Sequence, residues 1–316
     1  MPELPEVEST VRFLRERIIG ERVSLLEVLW GRSIAAASEP RYAELIANQT
    51  VSAIERRGKY IVIKLASTPP ALEGGCYLLC HLRMSGSLDV VPKGVPVHGH
   101  DRVLVHFHGG RELRFNDSRK FGRMYVVRDP LTILGSLGVE PLSDEFTREV
   151  LQHILGERKG AIKPLLLDQT LVVGIGNIYA DEVLWRAGIN PLLPPVRVSD
   201  EQWTLLFQAI GEVLSEAIAL QGTDFGDGVV EMGNFAPSVY GRDGSPCLRC
   251  GSLILRMVVA QRGTHFCPSC QGGKPRTTRA VPRRGKEKRM RTKRSGSEKK
   301  PGPKQVSGHS RRKVRR

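Results

Sequence analysis

The sequence contains no long apolar segment. None of its apolar runs approaches the ~20 residues that a membrane-spanning helix requires, which excludes a membrane span. The N-terminus also lacks the basic and then apolar stretch of a secretory signal, because it carries acidic residues at Glu3, Glu6 and Glu8. We therefore expect a soluble protein of the cytoplasm. At 316 residues the chain is longer than one compact core usually holds, which favours two domains.

Excess positive charge is absent from most of the chain. The net charge is +15, but residues 274–316 hold 19 Lys and Arg against 2 Asp and Glu. Residues 1–273 therefore hold 29 basic and 31 acidic residues, a net charge of −2. The basic segment has almost no apolar residues, which predicts a disordered tail. Because bulk charge favours nucleic acid only at this tail, DNA binding by the body would need a localised basic groove.

Cysteines are few, and four of the six follow a metal-binding pattern. Cys247 and Cys250 form one C-x2-C pair, and Cys267 and Cys270 form a second. Two thiolate pairs separated by a hairpin-length insert are what one tetrahedral zinc ion requires. Two disulfides are the alternative, but disulfides are rare in the cytoplasm. The spacing therefore predicts one structural zinc ion.

The first half of the chain has the periodicity of one helix followed by strands. Apolar residues recur at helical spacing over 6–18. Alternation over 60–65 predicts a strand, and alternation over 103–115 around two glycines predicts a hairpin. Short strands at this spacing suggest a sandwich or a barrel. Cys76 and Cys80 lie in an apolar segment, and we expect buried core thiols there.

Helical periodicity replaces the strands from about residue 143. Ser143 is a plausible N-cap, and further helices are predicted at 178–187 and 200–220. The last of these follows Ser199, which begins a capping-box pattern. The cysteine-rich segment 245–271 comes next. These patterns predict a β-rich domain, a helical domain with a zinc ribbon, and the basic tail.

The N-terminal residues combine an imino acid with a carboxylate. Proline at position 2 permits removal of Met1, which would leave a free secondary amine on Pro2. Such an amine can attack a sugar aldehyde carbon and form an iminium ion. A nearby helix N-terminus would favour its neutral form, but would also lower the pKa of Glu3. Taken alone, the segment favours the simpler interpretation, the start of a capped helix with acidic residues in its first turn.

Eight motifs follow one another along residues 1–271: Met1-Pro-Glu-Leu-Pro-Glu-Val-Glu8, Arg56-Arg-Gly-Lys-Tyr60, His81-Leu-Arg-Met-Ser-Gly-Ser-Leu88, Asp117-Ser-Arg-Lys-Phe-Gly122, Ala161-Ile-Lys-Pro164, Leu171-Val-Val-Gly-Ile-Gly-Asn-Ile-Tyr-Ala180, Val239-Tyr-Gly-Arg242 and Gln261-Arg262. In this order, with the four cysteines around the last motif, the chain resembles formamidopyrimidine-DNA glycosylase, the bacterial family of oxidised-purine repair. The resemblance implies an α+β fold, with an N-terminal β-sandwich that includes an N-terminal helix and a C-terminal helix-two-turn-helix domain with a four-cysteine zinc ribbon. The expected bounds are 1–135 for the catalytic β-sandwich domain, 143–235 for the helical DNA-binding domain, 239–271 for the zinc ribbon and 274–316 for the disordered tail.

The resemblance also assigns catalytic residues. Pro2 resembles the nucleophile that attacks the sugar C1′ of the lesion. Glu3 resembles the acid that protonates the sugar ring oxygen. Lys59 resembles a phosphate ligand that assists β-elimination, where the pattern alone would suggest a solvated lysine at a sheet edge. Asn177 and Arg262 resemble phosphate contacts, so the zinc ion would act by aiming an arginine.

Three residues resemble the set with which the family fills the gap left by an extruded base. Met84 and Phe121 would be inserted into the stack and Arg119 would face the orphaned cytosine, although Met84 and Phe121 could equally be core residues. His100 fits a phosphate contact, with a solvated loop histidine as the alternative. Two more residues are placed near the lesion strand by the resemblance: Arg158 and Lys163.

The activity implied is that of a bifunctional glycosylase and abasic-site lyase. It would excise 8-oxoguanine and formamidopyrimidines from duplex DNA through a Schiff base on Pro2, followed by β,δ-elimination. One alternative is an endonuclease VIII-like enzyme for oxidised pyrimidines, although Leu4-Pro-Glu-Val7 favours the purine branch. Another is a non-catalytic zinc-ribbon DNA-binding protein. We further expect a monomer whose partner is damaged double-stranded DNA, in the bacterial cytoplasm at the nucleoid, with no membrane association.

Two segments depart from the family pattern. Residues 224–238 occupy the place of a loop that closes over the extruded base, and this segment is several residues shorter than is usual. This shortening puts the base preference in doubt. The tail at 274–316 is the second departure, since family chains commonly stop soon after the last cysteine.

Overall fold

The structure, a computed structural model, describes residues 2–67, 75–223 and 233–272. The predicted tail at 274–316 and most of segment 224–238 lie outside these residues. Among the described residues, no helix is long and apolar enough to cross a membrane.

The first half contains a long helix and two four-stranded antiparallel sheets. The elements are α1 (Leu4–Ile18), β1 (Val23–Val28), α2 (Tyr42–Ile46), β2 (Thr50–Arg57), β3 (Tyr60–Ala66), β4 (Cys76–His81), β5 (Gly86–Pro92), β6 (Asp101–Phe107), β7 (Arg111–Asp117) and β8 (Arg123–Val127). One sheet has the strand order β1-β6-β7-β5 and the other has the order β2-β3-β4-β8.

One apolar core joins both sheets to α1. The helix presents Val7 and Val11 to this core, and the two sheets contribute residues such as Val103 and Ile61. The predicted helix and the predicted β6–β7 hairpin are both confirmed. Cys76 and Cys80 are also buried, as predicted. The architecture matches the expected N-terminal sheet domain with its helix.

The second half is helical and ends in a two-stranded hairpin. Its elements are α3 (Leu131–Leu134), α4 (Arg148–Leu155), α5 (Ile162–Leu167), α6 (Asn177–Arg186), α7 (Asp200–Ala219), β9 (Leu255–Val259) and β10 (Arg262–Phe266). Tyr179 of α6 and Trp203 of α7 are large residues of a second core. Leu4 of α1 belongs to the same core, so the N-terminus of the chain is packed against the helical half.

The capping prediction for α7 is confirmed, but the one for α4 is wrong. The Ser199 hydroxyl accepts a hydrogen bond from the Gln202 amide at 3.3 Å, and the Gln202 side chain accepts one from the Ser199 amide at 3.1 Å. Helix α4 begins at Arg148 rather than near Ser143, because the Thr147 hydroxyl caps it by accepting from the Val150 amide at 3.2 Å. Residues 143–146 form a turn instead.

Candidate active site and nucleic-acid interface

Glu3 is buried at the point where the two halves meet. Its side chain lies against the N-terminus of α6 and accepts hydrogen bonds from the amides of Gly176 at 2.8 Å and Ile178 at 3.0 Å. A Cβ atom at position 176 would lie 2.3 Å from the Glu3 carboxyl carbon, so only glycine fits there. Burial raises the pKa of Glu3, although Lys59 and the helix amides oppose this. A carboxyl group with a raised pKa suits a general acid.

Pro2 directly precedes this carboxyl group and is half-buried. The backbone after it is fixed on two sides, because the Glu3 amide donates to the Glu6 carboxylate at 2.8 Å and the Leu4 amide donates to the Gly174 carbonyl at 3.1 Å. Pro2 is therefore attached to a backbone segment that is fixed by hydrogen bonds. Such fixation lowers the entropic cost of placing a nucleophile against its target.

Lys59 lies in the tight two-residue turn between β2 and β3, directly before Tyr60. Its Nζ atom donates to the Ile175 carbonyl at 2.9 Å, and the residue is only 7% exposed, so it is not a solvated edge lysine. Burial lowers the pKa of Lys59, and Arg262 lowers it further, whereas Glu3 raises it. The loop before α6 therefore brings Glu3 and Lys59 together, although they lie far apart in the sequence.

Arg262 is exposed at the start of β10, beside a sharp turn of the hairpin. The turn residue Gln261 has a φ of 61°, and the hairpin behind it is bound to α6. The Asn177 side-chain amide donates to the Gly263 carbonyl at 2.9 Å, and the His265 amide donates to the Asp181 carboxylate at 2.8 Å. The hairpin that carries Arg262 is thus bound directly to the Asn177 side chain.

Lys163 is completely buried, which corrects the prediction that it contacts the lesion strand. Its Nζ atom lies 2.7 Å from a carboxylate oxygen of Asp181, and neither side chain is exposed. It also donates to the Thr264 hydroxyl at 2.8 Å and to the Gly263 carbonyl at 3.1 Å. Because all of these partners are internal, Lys163 joins α5 and α6 to the hairpin and presents no charge to DNA.

The four cysteines of the ribbon lie together in space. Their sulfur atoms are all within 4.8 Å of one another, with 3.9 Å between Cys247 and Cys270 and 3.4 Å between Cys250 and Cys267. These separations fit a tetrahedron of sulfurs at the usual Zn–S distance of about 2.3 Å. The Trp185 indole also donates to the Cys247 sulfur at 3.4 Å, as it would to a thiolate. The residues therefore fit one structural zinc ion, whose closed set of ligands leaves no position for a substrate.

The residues predicted to fill the gap in the stack lie at the surface. Met84 is 41% exposed and Phe121 is 50% exposed, which excludes the alternative that they are core residues. The Arg119 guanidinium lies 5.1 Å from the centre of the Phe121 ring, within cation–π range. We call Met84, Arg119 and Phe121 the wedge.

His100 and Arg158 are both exposed. His100 lies 3.2 Å from the guanidinium of Arg102, in the loop before β6. Arg158 lines an open depression with Arg57 and Glu140, and this depression includes neither Glu3 nor Lys59. The depression that Arg158 lines is therefore separate from Glu3 and Lys59.

Glu6 makes hydrogen bonds near Glu3 that the sequence did not indicate. Its carboxylate accepts hydrogen bonds from the Tyr179 hydroxyl at 2.6 Å and from the Thr223 amide at 2.8 Å. It also accepts from the Glu3 amide. Thr223 is the last described residue before segment 224–232, so Glu6 connects the backbone of Glu3 to the residue that precedes that segment. The only sequence signal was an acidic residue in the first turn of a helix.

Comparison with known proteins gives consistent matches along the chain. Three family models match in succession: "Formamidopyrimidine-DNA glycosylase N-terminal domain" at 1–124, "Formamidopyrimidine-DNA glycosylase H2TH domain" at 137–227 and "Zinc finger found in FPG and IleRS" at 244–272. A formamidopyrimidine-DNA glycosylase of Roseiflexus sp. is 42% identical over 279 residues, which are 86% of this chain and 100% of the relative.

Solved structures of similar fold contain damaged DNA. The Lactococcus lactis Fpg in complex with DNA that contains an abasic site has a TM-score of 0.78 and 33% identity, over 86% of this chain and 100% of that one. The same enzyme with DNA that contains Fapy-dG has a TM-score of 0.77 and 33% identity, with the same coverage.

Proposed function

The chain belongs to the formamidopyrimidine-DNA glycosylase family, and from this premise we propose that Pro2, Glu3 and Lys59 carry out its chemistry. It is a DNA glycosylase that excises oxidised purines, and abasic-site lyase activity is typical of its family. One observation supports the residue roles most strongly. A buried carboxyl group with a raised pKa directly follows the N-terminal imino acid and lies beside a buried lysine.

The first step is attack by the Pro2 amine at C1′ of the damaged nucleotide. For this the initiator methionine must have been removed, so that the nitrogen has a free electron pair. Glu3 gives its proton to the ring oxygen, and the ring opens. The bond from C1′ to the damaged base breaks, the base leaves with the proton that the Pro2 amine has lost, and the sugar is held as an iminium ion. The positive nitrogen then acidifies the C2′ proton. Removal of that proton expels the 3′ phosphate by β-elimination, and δ-elimination expels the 5′ phosphate.

Three residues are proposed to hold the phosphates on either side of the damaged nucleotide. The ammonium group of Lys59 donates a hydrogen bond to the Ile175 carbonyl, which holds it beside Glu3. Asn177 has a second amide hydrogen beyond the one given to Gly263, and Arg262 projects from the adjacent hairpin. Phosphate oxygens accept strongly from such donors. In this scheme the zinc ion only maintains the hairpin that carries Arg262.

The wedge is proposed to replace the extruded base. Its two apolar side chains are exposed, as insertion between bases requires. Arg119 would pair with the cytosine that has lost its partner. Two more phosphate contacts are proposed away from the damaged nucleotide. His100 would make one from the sheet half, and Arg158 would make the other from the helical half.

Binding to damaged DNA follows from the family, and we propose that the protein acts as a monomer. One copy contains every group named above, from the amine to the wedge. We further propose that it works in the bacterial cytoplasm at the nucleoid. The domain bounds are proposed as 1–135, 143–235 and 239–271, with 274–316 as a basic tail.

A panel of duplexes tests the substrate assignment. Each duplex carries one lesion, an oxidised purine or an oxidised pyrimidine, opposite each of the four bases, and strand cleavage is scored under single-turnover conditions. We expect the fastest cleavage for 8-oxoguanine and formamidopyrimidines opposite cytosine. Faster cleavage of the oxidised pyrimidines would instead support an endonuclease VIII-like specificity. Absence of cleavage at every lesion would support a binding protein.

A further inference from the structure

Asp117 is a completely buried carboxylate at the end of β7, and it is not one of the three residues to which the chemistry is assigned, Pro2, Glu3 and Lys59. One oxygen accepts hydrogen bonds from the Ser85 hydroxyl at 2.5 Å and from the Arg119 amide at 3.1 Å. The other oxygen accepts from the Gly122 amide at 2.7 Å. These donors lie in the two separate turns that carry the wedge, since Ser85 follows Met84 and the other two flank Phe121.

The backbone of Asp117 reaches a third surface loop. Its amide donates to the His100 carbonyl at 2.9 Å, and its carbonyl accepts from the Arg102 guanidinium at 2.8 Å. One residue is therefore bonded to both wedge turns and to the loop that carries His100. No residue of β7 other than Asp117 has this set of partners among the described hydrogen bonds.

Both wedge turns hold a non-glycine residue in the left-handed region, with a φ of 58° at Arg83 and 62° at Lys120. This conformation is unfavourable for side chains with a Cβ atom and persists only where surrounding contacts impose it. The bonds to Asp117 impose it at Lys120, because they fix the backbone on both sides of that residue. The Arg83 turn is closed by a bond from the Gly86 amide to the Leu82 carbonyl at 3.0 Å.

The chemistry of the contact requires a carboxylate. The Ser85 hydroxyl and two backbone amides all donate to the Asp117 side chain, and an acceptor-only side chain satisfies every one of them. In either orientation, an asparagine would direct an amide hydrogen at one of the two backbone amides, which can only donate. A Cβ atom at Gly122 would lie 2.3 Å from the Phe115 ring, so only glycine fits at this position of the turn.

We propose that Asp117 is a positioning residue for base extrusion, which locks the Met84 turn to the Arg119–Phe121 turn. The wedge is then rigid before DNA binds, so the cost of ordering two loops does not fall on the extrusion step. This proposal rests on the wedge role given above. It assigns Asp117 no contact with DNA.

Asp117→Asn tests the proposal in single-turnover assays. We expect excision of 8-oxoguanine, and the fluorescence change of a 2-aminopurine placed beside the lesion, to slow by about 10- to 100-fold, the range of one lost hydrogen bond to a charged group. Cleavage of a pre-formed abasic site, which has no base to extrude, should change by less than about 3-fold. Equal slowing of both substrates, or no slowing of either, would overturn the proposal.

Two further variants guard against a loss of folding. Ser85→Ala removes no charge, but it removes the bond that the Ser85 hydroxyl donates to Asp117 and the longer one that it accepts from the Arg119 amide at 3.3 Å. It should slow extrusion by about 10-fold or more, because the first of these bonds is made to a carboxylate. Combined with Asp117→Asn it should add little, because both variants break the same connection between the two turns. Its matched control is Ser87→Ala on β5, and that of Asp117→Asn is Glu112→Gln, another buried carboxylate of β7. Slowing in these controls equal to that in the test variants would overturn the proposal.

Met84→Ala and Phe121→Ala separate this proposal from the wedge role itself. If these two variants extrude the base at the normal rate, the wedge role fails. If they slow extrusion while Asp117→Asn and Ser85→Ala do not, the wedge role stands and the positioning role of Asp117 fails.

Discussion

Replacing Lys163 by methionine should destabilise the protein and release the hairpin that carries Arg262. The lysine is the internal partner of Asp181 at 2.7 Å, with both side chains fully buried. Methionine keeps most of the volume but leaves a buried carboxylate without its cation. Breaking a buried ion pair in this way costs about 3–5 kcal/mol. The hydrogen bonds of Lys163 to Gly263 and Thr264 are lost at the same time.

The loss should be seen in the free energy of unfolding, measured by denaturant titration. Lys64→Met is the matched control, because Lys64 is exposed on β3 and the change there should stay within about 0.5 kcal/mol. Lys163→Met/Asp181→Asn should recover part of the lost stability, since the unpaired charge is then removed. Zinc content should stay near one per chain, whereas affinity for abasic-site DNA should fall by about 10-fold or more as Arg262 loses its position.

Two results would contradict this reasoning. If Lys163→Met is as stable as the wild type, the pair does not hold the hairpin. If stability falls but DNA affinity is unchanged when measured well below the unfolding transition, the hairpin does not depend on α6 for the placement of Arg262.

Three further predictions concern the zinc ribbon, the acid and the tail. Cys250→Ser should abolish DNA binding and zinc retention while the sheet domain stays folded, and full activity with retained zinc would refute the ribbon's role. Glu3→Gln should stop base excision yet keep some cleavage of a pre-formed abasic site. Because excision needs protonated Glu3 and burial raises its pKa, the wild-type excision rate should fall as the pH rises through that raised pKa, and this fall should be absent from any residual excision by Glu3→Gln. Deleting 274–316, which lies outside the described residues, should weaken binding to undamaged DNA and flatten its salt dependence, and an unchanged slope would leave the tail without a role on DNA.

Features that depend on residues close together in the sequence were predictable. The zinc ligands follow from a spacing that one turn imposes on each pair, and the sulfurs do converge. The buried face of α1 follows from helical periodicity, and Val7 and Val11 are buried as that periodicity requires. The start of α4 was misplaced because Ser143 and Thr147 are both good caps, and only the packing of the turn between them decides which one is used.

Contacts between distant segments were not predictable from the pattern. The residues next to Lys163 in the sequence gave no sign that its charge is buried. Its burial depends on Asp181 and on the Gly263 carbonyl of the ribbon, which are distant in the sequence. Glu6 shows the same limitation, since its partner Thr223 lies 217 positions away. The family resemblance predicted that Glu3 and Lys59 act at one site, but not which neighbours hold them there.

The identity of the nucleophile is tested most directly by borohydride trapping on damaged duplex DNA. Borohydride reduces the iminium ion to a stable amine, and mass spectrometry of the digested cross-link locates the modified residue. We expect the cross-link at residue 2, on a chain without Met1, and no trapping when removal of Met1 is blocked. A cross-link at Lys59 would contradict the account, because the nucleophile would then be a side-chain amine.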